Sequence, residues 1–339
     1  MSDDSLCSKN TPDFVCMGFQ KCGTTTLYKI FKQHPQVVLC RDVKEPMYYR
    51  IPRIVQLIGR GHKFYCSRYF GHVAADDLRL KGEINAGLTF TDCAEKFAKN
   101  YPPDVKMIFI MREPVSRCFS SYKYFLAKGF LPAADVNYDL VHGHSKGFDH
   151  YVHKVLGDDR KRSKIMDQRL RYLVFSQSNY ATCIREYLQY YPKENMRFVI
   201  FEEFIQDEHA ALRGLYDFIG LDDCEEIDYK AKANEGKNRP SSAFWAECFK
   251  IVKAFNYAFY EFFHLNKFAP RFYRVYNSFY KWVKRRCMVR DFDTGGILPE
   301  TREYIQGYLK EEMEDLEKIT ERDLSGIWGY RTGSADAIK

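Results

Sequence analysis

The sequence predicts an α/β fold with three layers, α/β/α, around a central, mostly parallel sheet, and with a helical insertion late in the chain. Two observations predict it. Short runs rich in strand-forming residues recur at 14–18, 105–111 and 197–201. Segments with apolar residues at helical spacing lie between these runs, at 24–34, 116–128 and 178–191. Strands that alternate with helices in this way pack as a parallel sheet covered by helices on both faces.

The first strand leads into a glycine-containing loop and a helix. Residues Gly18–Thr25 have the glycine spacing of a Walker A phosphate loop, but Thr24 stands where that loop has its lysine, and Lys21 lies inside the loop. Successive backbone N–H groups and the start of a helix together bind anions well. We therefore predict a P-loop-like anion site. The alternative is a tight turn in which Thr24 caps the helix and Lys21 faces solvent.

Residues 241–293 differ in composition from the rest of the chain, because aromatic side chains are interleaved with lysine and arginine. We predict a single domain over residues 1–339, with 241–293 as a helical insertion and a charged helix over 299–319. Three interpretations of the insertion stay open. It is an aromatic lid over a hydrophobic substrate, an interfacial helix on an anionic membrane, or a helix packed in the ordinary way against the core.

Composition and charge exclude several classes of protein. With 45% hydrophobic residues among 339, the chain can bury a large core, which excludes disorder throughout. Lys and Arg outnumber Asp and Glu by 52 to 45, which favours anionic ligands but is too small a bias for a dedicated nucleic-acid binder. The eleven cysteines are scattered and odd in number, so we expect buried thiols rather than a disulfide framework or a zinc site.

Two features bear on where the protein resides. The N-terminus lacks the charged-then-apolar pattern of a secretory signal, and no apolar run is long enough to span a bilayer. We therefore expect a cytoplasmic protein. The Golgi lumen is the alternative if the sequence is a trimmed form without its anchor.

Three segments of the sequence resemble one family. Gln20–Val37 is similar to the 5′-phosphosulfate-binding loop of carbohydrate sulfotransferases that use 3′-phosphoadenosine 5′-phosphosulfate (PAPS). Lys44–Tyr49 resembles the Lys-Glu-Pro segment of the heparan and chondroitin sulfate enzymes, and Ile110–Arg117 with Ser120 and Tyr122 resembles the family's 3′-phosphate-binding strand and helix. The N-acetylgalactosamine 4-sulfate 6-O-sulfotransferases are the most similar subfamily. Three further segments also match the family, at 82–86, 201–204 and 236–240.

The resemblance implies a role for each residue of these motifs. Glu45 would be the general base that takes the proton of the acceptor hydroxyl, and Lys44 would orient Glu45 or hold the sulfonate. Lys21 would offset the negative charge that builds up on the leaving phosphate. Arg112 and Ser120 would hold the 3′-phosphate. Five residues of the loop and first helix would bind the 5′-phosphosulfate: Cys22, Gly23, Thr24, Thr25 and Thr26.

A second basic pair would complete the nucleotide site. By the resemblance, Lys237 and Arg239 would close over the 3′-phosphate as a glycine-lysine-arginine loop does in the family. This sequence departs from the pattern, because Asn238 separates the two basic residues where the family commonly has glycine.

The carboxylates of the motifs have alternative interpretations. Glu45 precedes a proline, and in that position a glutamate is often a solvated surface group. Arg112 could form a structural ion pair with Glu113 or Glu83 instead of binding a phosphate. Glu83 would either line the acceptor pocket and bind substrate or be buried beside a helix cap.

The resemblance also implies a chemistry and its reactants. PAPS would donate the sulfuryl group, 3′-phosphoadenosine 5′-phosphate would be the product, and no divalent metal would be required. By the resemblance the acceptor would be a sugar hydroxyl. The aromatic and basic insertion at 241–293 would also suit a lipid or another small-molecule alcohol, and it is the segment through which peripheral membrane contact would occur. Two other classes compete with this one. A P-loop nucleotide kinase would place lysine directly after Gly23, and a catalytically silent module would have lost Lys21 or Glu45; neither pattern is present.

Overall fold

The structure is a computed structural model that describes residues 11–46, 62–74, 76–90, 93–157, 173–224, 227, 239–242, 244–245, 247–248, 251–252, 270–289 and 295–330. The chain divides into two compact units. Unit 1 comprises Met1–Arg117, Gln177–Ala233 and Leu309–Lys339, and unit 2 comprises Cys118–Ser176 and Asn234–Tyr308. The predicted phosphate loop belongs to unit 1, and the predicted insertion belongs to unit 2.

A five-stranded sheet forms the centre of unit 1. Its strands are β1 Phe14–Cys16, β2 Val37–Leu39, β3 Leu80–Ile84, β4 Lys106–Met111 and β5 Met196–Ile200. Their order is β2-β3-β1-β4-β5, and every neighbouring pair is parallel. All of β1 is buried, as expected for a strand in the middle of a sheet covered on both faces. The prediction of an α/β fold around a parallel sheet is confirmed.

Helices account for most of the remaining described chain. Two 3₁₀ turns, Ala86–Thr89 and Lys193–Asn195, lie among them, and β6 Arg239–Pro240 pairs antiparallel with β7 Met288–Val289. In chain order the helices are α1 Thr24–Gln33, α2 His62–Phe70, α3 Cys93–Ala98, α4 Pro114–Ala127, α5 Ala133–His142, α6 His144–Leu156, α7 Tyr180–Leu188, α8 Phe201–Gln206, α9 Glu208–Ile219, α10 Pro270–Cys287, α11 Pro299–Tyr308, α12 Lys310–Thr320 and α13 Leu324–Trp328.

The order of the strands determines where a ligand can bind. From β1 the chain crosses to β2 and β3 on one side of the sheet, whereas β4 and β5 lie on the other side. Ligands of open α/β sheets bind beyond the carboxyl ends of the strands, at the point where the connections diverge. That point lies between β1 and β4, and the glycine loop follows β1 directly.

Helix α4 begins at the residue where its sequence favours a start. Pro114 is the first helical residue, a position at which the missing N–H of proline costs nothing. The carboxylate of Glu113 accepts hydrogen bonds from the amides of Val115 (2.9 Å) and Ser116 (2.7 Å), two donors that the helix itself leaves without acceptors. The helix therefore starts at residue 114, two residues before the start at residue 116 that the sequence predicted.

Unit 2 contains the helical pair α5 and α6 and the long helix α10. Asp139 and His144 are both buried, and they share a hydrogen bond of 2.8 Å, with the hydroxyl of Tyr122 3.4 Å from the same carboxylate oxygen. A small cluster formed by Val283 and Cys287 with Val252 and Tyr280 supports one face of α10. Within the described ranges, no helix has both the length and the apolarity that crossing a membrane requires.

Candidate active site

The glycine loop runs alongside β4 before it turns into α1. The amide of Met17 donates to the Ile108 carbonyl (2.7 Å), and the amide of Phe19 donates to the Ile110 carbonyl (3.3 Å). A Cβ atom at Gly18 would lie 2.2 Å from Cγ2 of Ile110 and 2.3 Å from Cγ2 of Thr24. Only glycine allows the loop to approach β4 this closely.

The end of the loop is built from two left-handed residues. Lys21 has φ 72° and Gly23 has φ 98°, and α1 begins at the next residue, Thr24. Left-handed residues in a turn direct successive N–H groups to one side, which creates a concave anion site. The start of α1 has no side-chain cap within the described residues, so its first amides are available to an anion. This is the geometry of a phosphate cradle.

The predicted loop residues differ in their accessibility. Lys21, Gly23 and Thr25 are partly exposed, whereas Cys22, Thr24 and Thr26 are buried. Burial raises the pKa of the Cys22 thiol to about 12, so this thiol stays protonated at neutral pH and cannot act as a nucleophile. The backbone amide of Cys22 donates to the Phe19 carbonyl (3.2 Å), so Cys22 shapes the loop and neither its thiol nor its amide is open to a ligand in the cradle.

The Lys-Glu-Pro segment lies against the start of α1. Nζ of Lys44 donates to Oγ1 of Thr24 (2.9 Å) and to Oε1 of Glu45 (2.7 Å). The side-chain amide of Asn85 donates to the Pro46 carbonyl (2.8 Å), which anchors the segment to the end of β3. Lys44 therefore bridges the phosphate loop and the predicted base. Met47 and the two tyrosines of this motif, Tyr48 and Tyr49, lie outside the described residues.

Arg112 follows β4 and reaches the same region as the loop. Its guanidinium carbon lies 5.1 Å from the ring centroid of Phe201, and a Cβ atom at Gly23 would lie 2.7 Å from that ring. Its carbonyl accepts a hydrogen bond of 2.8 Å from the hydroxyl of Tyr180. Phe201 thus contacts both the cradle and the arginine, which places Arg112 beside the anion site.

The Nε atom of Arg112 is buried and has no hydrogen-bond partner within the described part of the chain. Buried N–H donors in folded proteins nearly always have a partner, and an arginine without one is suited to a bound carboxylate or phosphate. Within the described residues Arg112 forms no ion pair with Glu113 or Glu83: Glu113 accepts from the amides that start α4, and Glu83 accepts from two tyrosine hydroxyls and Asn85. A bound phosphate would satisfy the buried Nε.

Glu83 lies inside unit 1 rather than on an open surface. It is fully buried at the end of β3 and accepts hydrogen bonds from the hydroxyls of Tyr65 and Tyr101 and from Asn85 (2.7 Å). Burial raises the pKa of its carboxyl group. Asn85 also caps the following 3₁₀ turn through the amide of Gly87. Of the two interpretations left open by the sequence, this geometry matches burial beside a helix cap.

Three other predicted residues are located less completely. Ser120 lies on α4 and is partly exposed, and it belongs to unit 2. Lys237 lies outside the described residues. The backbone of Arg239 forms β6, but its side chain is outside the described part of the structure.

Sequence reasoning missed several residues that support the loop. Arg117 is fully buried and donates from Nε to Oγ of Ser178 (2.6 Å) and from Nη1 to the Gln20 carbonyl (3.4 Å). The side chain of Gln177 accepts from the Gln20 amide (3.4 Å) and from Thr89 (3.0 Å). Arg117 stands five residues after Arg112 in a motif already identified from the sequence, so its position could have indicated a role in the site. Gln177 and Ser178 belong to no such motif.

Comparisons with known proteins bear on the family and the fold of the chain. The family model described as a sulfotransferase domain matches residues 11–247, which is more than half of the chain. The fold is similar to the crystal structure of a sulfotransferase from Alicyclobacillus acidocaldarius, with a TM-score of 0.58 and 20% sequence identity over 94% of this chain and 99% of that chain. A sulfotransferase domain from the curacin biosynthetic pathway gives a TM-score of 0.37 at 12% identity, over 67% of this chain and 82% of that chain. A comparison with curated proteins returned no match.

Proposed function

The chain belongs to the family of sulfotransferase domains, and we propose that it transfers a sulfuryl group from PAPS to the hydroxyl of an acceptor. The observation that carries the proposal is the buried, unpartnered Nε of Arg112 beside a phosphate cradle. One anion at the cradle and a second at Arg112 match a nucleotide that carries phosphate groups at both its 5′ and 3′ ends. An ordinary adenylate would leave Arg112 without a ligand.

The loop residues bind and polarise the 5′ end of the donor. PAPS supplies an activated sulfuryl group, and its transfer leaves 3′-phosphoadenosine 5′-phosphate. The amides of Gly23, Thr24 and Thr25 hold the 5′-phosphosulfate at the start of α1. Lys21, which is partly exposed within the loop, provides the positive charge that stabilises the leaving phosphate.

Glu45 is proposed as the general base. Its ion pair with Lys44 measures 2.7 Å and fixes the carboxylate beside the hydroxyl of Thr24. The side chain of Glu45 is 37% exposed, so an acceptor hydroxyl can approach it from solvent. A base within hydrogen-bond reach of that hydroxyl removes its proton as the sulfur–oxygen bond forms. Lys44 orients the base and lies near the transferred sulfonate.

The 3′-phosphate contacts extend beyond Arg112. From the resemblance of the motifs, Ser120, Lys237 and Arg239 are proposed as further ligands of this phosphate. The acceptor is proposed to be a carbohydrate hydroxyl, with lipid and other small-molecule alcohols as the alternatives. The resemblance of the loop and of the Lys-Glu-Pro segment to carbohydrate enzymes supports the first choice.

Replacing Glu45 by glutamine tests the proposed chemistry. Transfer of label from sulfur-labelled PAPS is measured across sugar, lipid and phenolic acceptors, first for the wild-type protein and then for Glu45→Gln with the best acceptor. We expect Glu45→Gln to lower kcat by about 10² to 10⁴, the usual contribution of a general base, with little change in nucleotide affinity. The exposed Glu300→Gln on α11 is the matched control and should keep full activity. Wild-type turnover in Glu45→Gln would refute the assignment of the base.

A further inference from the structure

Helix α10 presents three different faces along its length. The residues at 276, 280, 283 and 287 form one row, those at 275, 279, 282 and 286 form the next, and those at 274, 278, 281 and 285 form a third. Each row repeats at the three- and four-residue spacing of a helix face. Neighbouring rows are offset by one residue, which turns them by about 100° around the helix axis. The three rows therefore face three different directions.

The first row attaches α10 to unit 2. Val283 and Cys287 are buried, Tyr276 and Tyr280 are partly buried, and the hydroxyl of Tyr276 donates to the Val252 carbonyl (3.0 Å). This row accounts for the packing that holds the helix in place. The other two rows are available for a different purpose.

The second row is an exposed apolar stripe. Val275 is 72% exposed, Phe279 is 50% exposed and Trp282 is 55% exposed, and the rings of Phe279 and Trp282 lie 6.1 Å apart. Arg271 and Arg286 extend this row at its two ends. Large aromatic side chains exposed next to one another mark an interaction surface, because isolated exposure is common but a contiguous patch is not. Phe244 and Ile251, which belong to the same predicted insertion, are exposed as well.

The third row is basic. Arg274, Lys281 and Arg285 are exposed along it, and Ser278 is the fourth member. Residues 270–287 contain six basic residues and no aspartate or glutamate. The helix therefore presents uncompensated positive charge directly beside its apolar stripe.

We infer that α10 is a docking surface for an anionic membrane. The helix would lie in the plane of the interface, with Val275, Phe279 and Trp282 inserted at the headgroup boundary and the basic row against acidic lipid headgroups. Amphipathic helices with aromatic and aliphatic residues on one face and lysine and arginine on the other bind membranes in this way. Charge complementarity favours an anionic lipid surface, and the exposed stripe favours a bilayer over a purely ionic partner such as an acidic polysaccharide.

Vesicle binding of the full chain, without nucleotide or acceptor, tests the inference. We expect the protein to cosediment with vesicles of phosphatidylcholine containing phosphatidylserine, and to bind vesicles of phosphatidylcholine alone much more weakly. The triple variant Arg274→Gln, Lys281→Gln and Arg285→Gln should lose roughly 100-fold in affinity, at about fivefold for each basic residue near an anionic leaflet. Phe279→Ser with Trp282→Ser should lose on the order of tenfold through the apolar part of the interaction.

A matched variant separates this surface from the overall charge of the protein. Lys193→Gln, Arg213→Gln and Lys318→Gln remove the same three charges from exposed positions in unit 1, and should bind vesicles like the wild type. Equal losses in the two triple variants would overturn the inference, and so would wild-type vesicle binding by the Phe279 and Trp282 double variant. Tight binding to soluble heparin combined with no response to anionic vesicles would also overturn it. Because neither PAPS nor an acceptor is present, failure here is distinguishable from failure of the proposed reaction.

Discussion

At the scale of single residues, position 23 imposes two requirements that only glycine satisfies. Its φ of 98° lies in the left-handed region, and a Cβ atom there would lie 2.7 Å from the ring of Phe201. That ring also contacts Arg112. The position of Gly23 therefore sets the shape of the cradle. It also sets the distance between the cradle and Arg112, the residue predicted to bind the 3′-phosphate.

Gly23→Ala should damage the cradle and the fold together. We expect the free energy of unfolding to fall by about 2 kcal/mol or more, from the left-handed backbone and from the displaced Phe201 ring. Nucleotide affinity should fall as well. Gly307→Ala on α11 is the control, because a Cβ atom at Gly307 meets nothing within 4 Å, and we expect it to be neutral or to stabilise by about 0.5–1 kcal/mol. Denaturant unfolding of both variants is the measurement, and an unchanged midpoint for Gly23→Ala would contradict the account.

His62 should make stability depend on pH. Burial lowers the pKa of its imidazole from 6.5 to about 4, and it lies against the ring of Tyr65 with Thr11 3.3 Å from Nε2. The unfolded chain therefore binds a proton between these two pKa values while the folded chain does not. The neutral imidazole of His62 therefore contributes fully to the free energy of unfolding above pH 6.5. This contribution, up to about 3 kcal/mol, is lost as the pH falls towards 4. Unfolding followed across this range should show a flatter slope for His62→Gln than for the wild type, and identical slopes would refute the burial effect.

At the scale of elements, α4 and the two residues before it organise the site through three side chains. Arg112 precedes the helix and faces the cradle, Glu113 satisfies its first amides, and Arg117 on its second turn holds the Gln20 carbonyl and Ser178. The start of α4 thereby connects β4, the glycine loop and the approach to α7. Through the Arg117 side chain the helix therefore contacts the backbone of the glycine loop directly.

Arg117→Met should loosen the loop without touching the ligand. Ser178 and the Gln20 carbonyl would lose a partner, and we expect the free energy of unfolding to fall by about 2–6 kcal/mol, at 1–3 kcal/mol for each unsatisfied group. Nucleotide affinity should fall although Arg112 is intact. Arg185→Met, whose side chain is 52% exposed and paired with Asp315, is the control and should cost less than about 1 kcal/mol. Urea unfolding compares the two, and equal small losses would show that Arg117 does not support the loop.

The same elements show what the sequence could and could not predict. β1, β4 and β5 were predictable because each is a run of apolar, strand-forming residues. β3 contains Lys81, Gly82 and Glu83 and so lacks a continuous apolar run. β2, Val37–Leu39, is an apolar run as short as β1, but it was not predicted as a strand. The predicted helix over 299–319 is two helices, since the backbone leaves the helical conformation at Leu309, with φ −97° and ψ 7°. β2 and β3 pair with each other, and β3 pairs with β1; such pairing between distant segments is not predicted by a local sequence pattern.

At the scale of the whole molecule, the sequence predicted the parts of the candidate site but not their supports. Lys21, Gly23, Lys44, Glu45 and Arg112 were identified from motifs, and unit 1 brings them to the carboxyl ends of β1 and β4. Apart from Arg117, which lies in the same motif as Arg112, the supports come from distant parts of the chain, and no motif of the sequence points to their side chains. From the tail, Nε1 of Trp328 donates to Glu202 (3.0 Å), whose other oxygen accepts from the Glu113 amide (3.1 Å). Such contacts follow from the fold and cannot be read from spacing.

The most direct test of the central claim is the binding of 3′-phosphoadenosine 5′-phosphate in the presence of a metal chelator, compared between the wild type and Arg112→Ala. Calorimetry should show that the variant loses about 10- to 100-fold in affinity, the value of a charged hydrogen bond to phosphate. Affinity for adenosine 5′-phosphate should be unchanged, and Arg213→Ala, which alters an exposed arginine of α9, should bind like the wild type. Equal affinity of the wild type and Arg112→Ala for 3′-phosphoadenosine 5′-phosphate would contradict the account, because the buried Nε would then have no phosphate to bind.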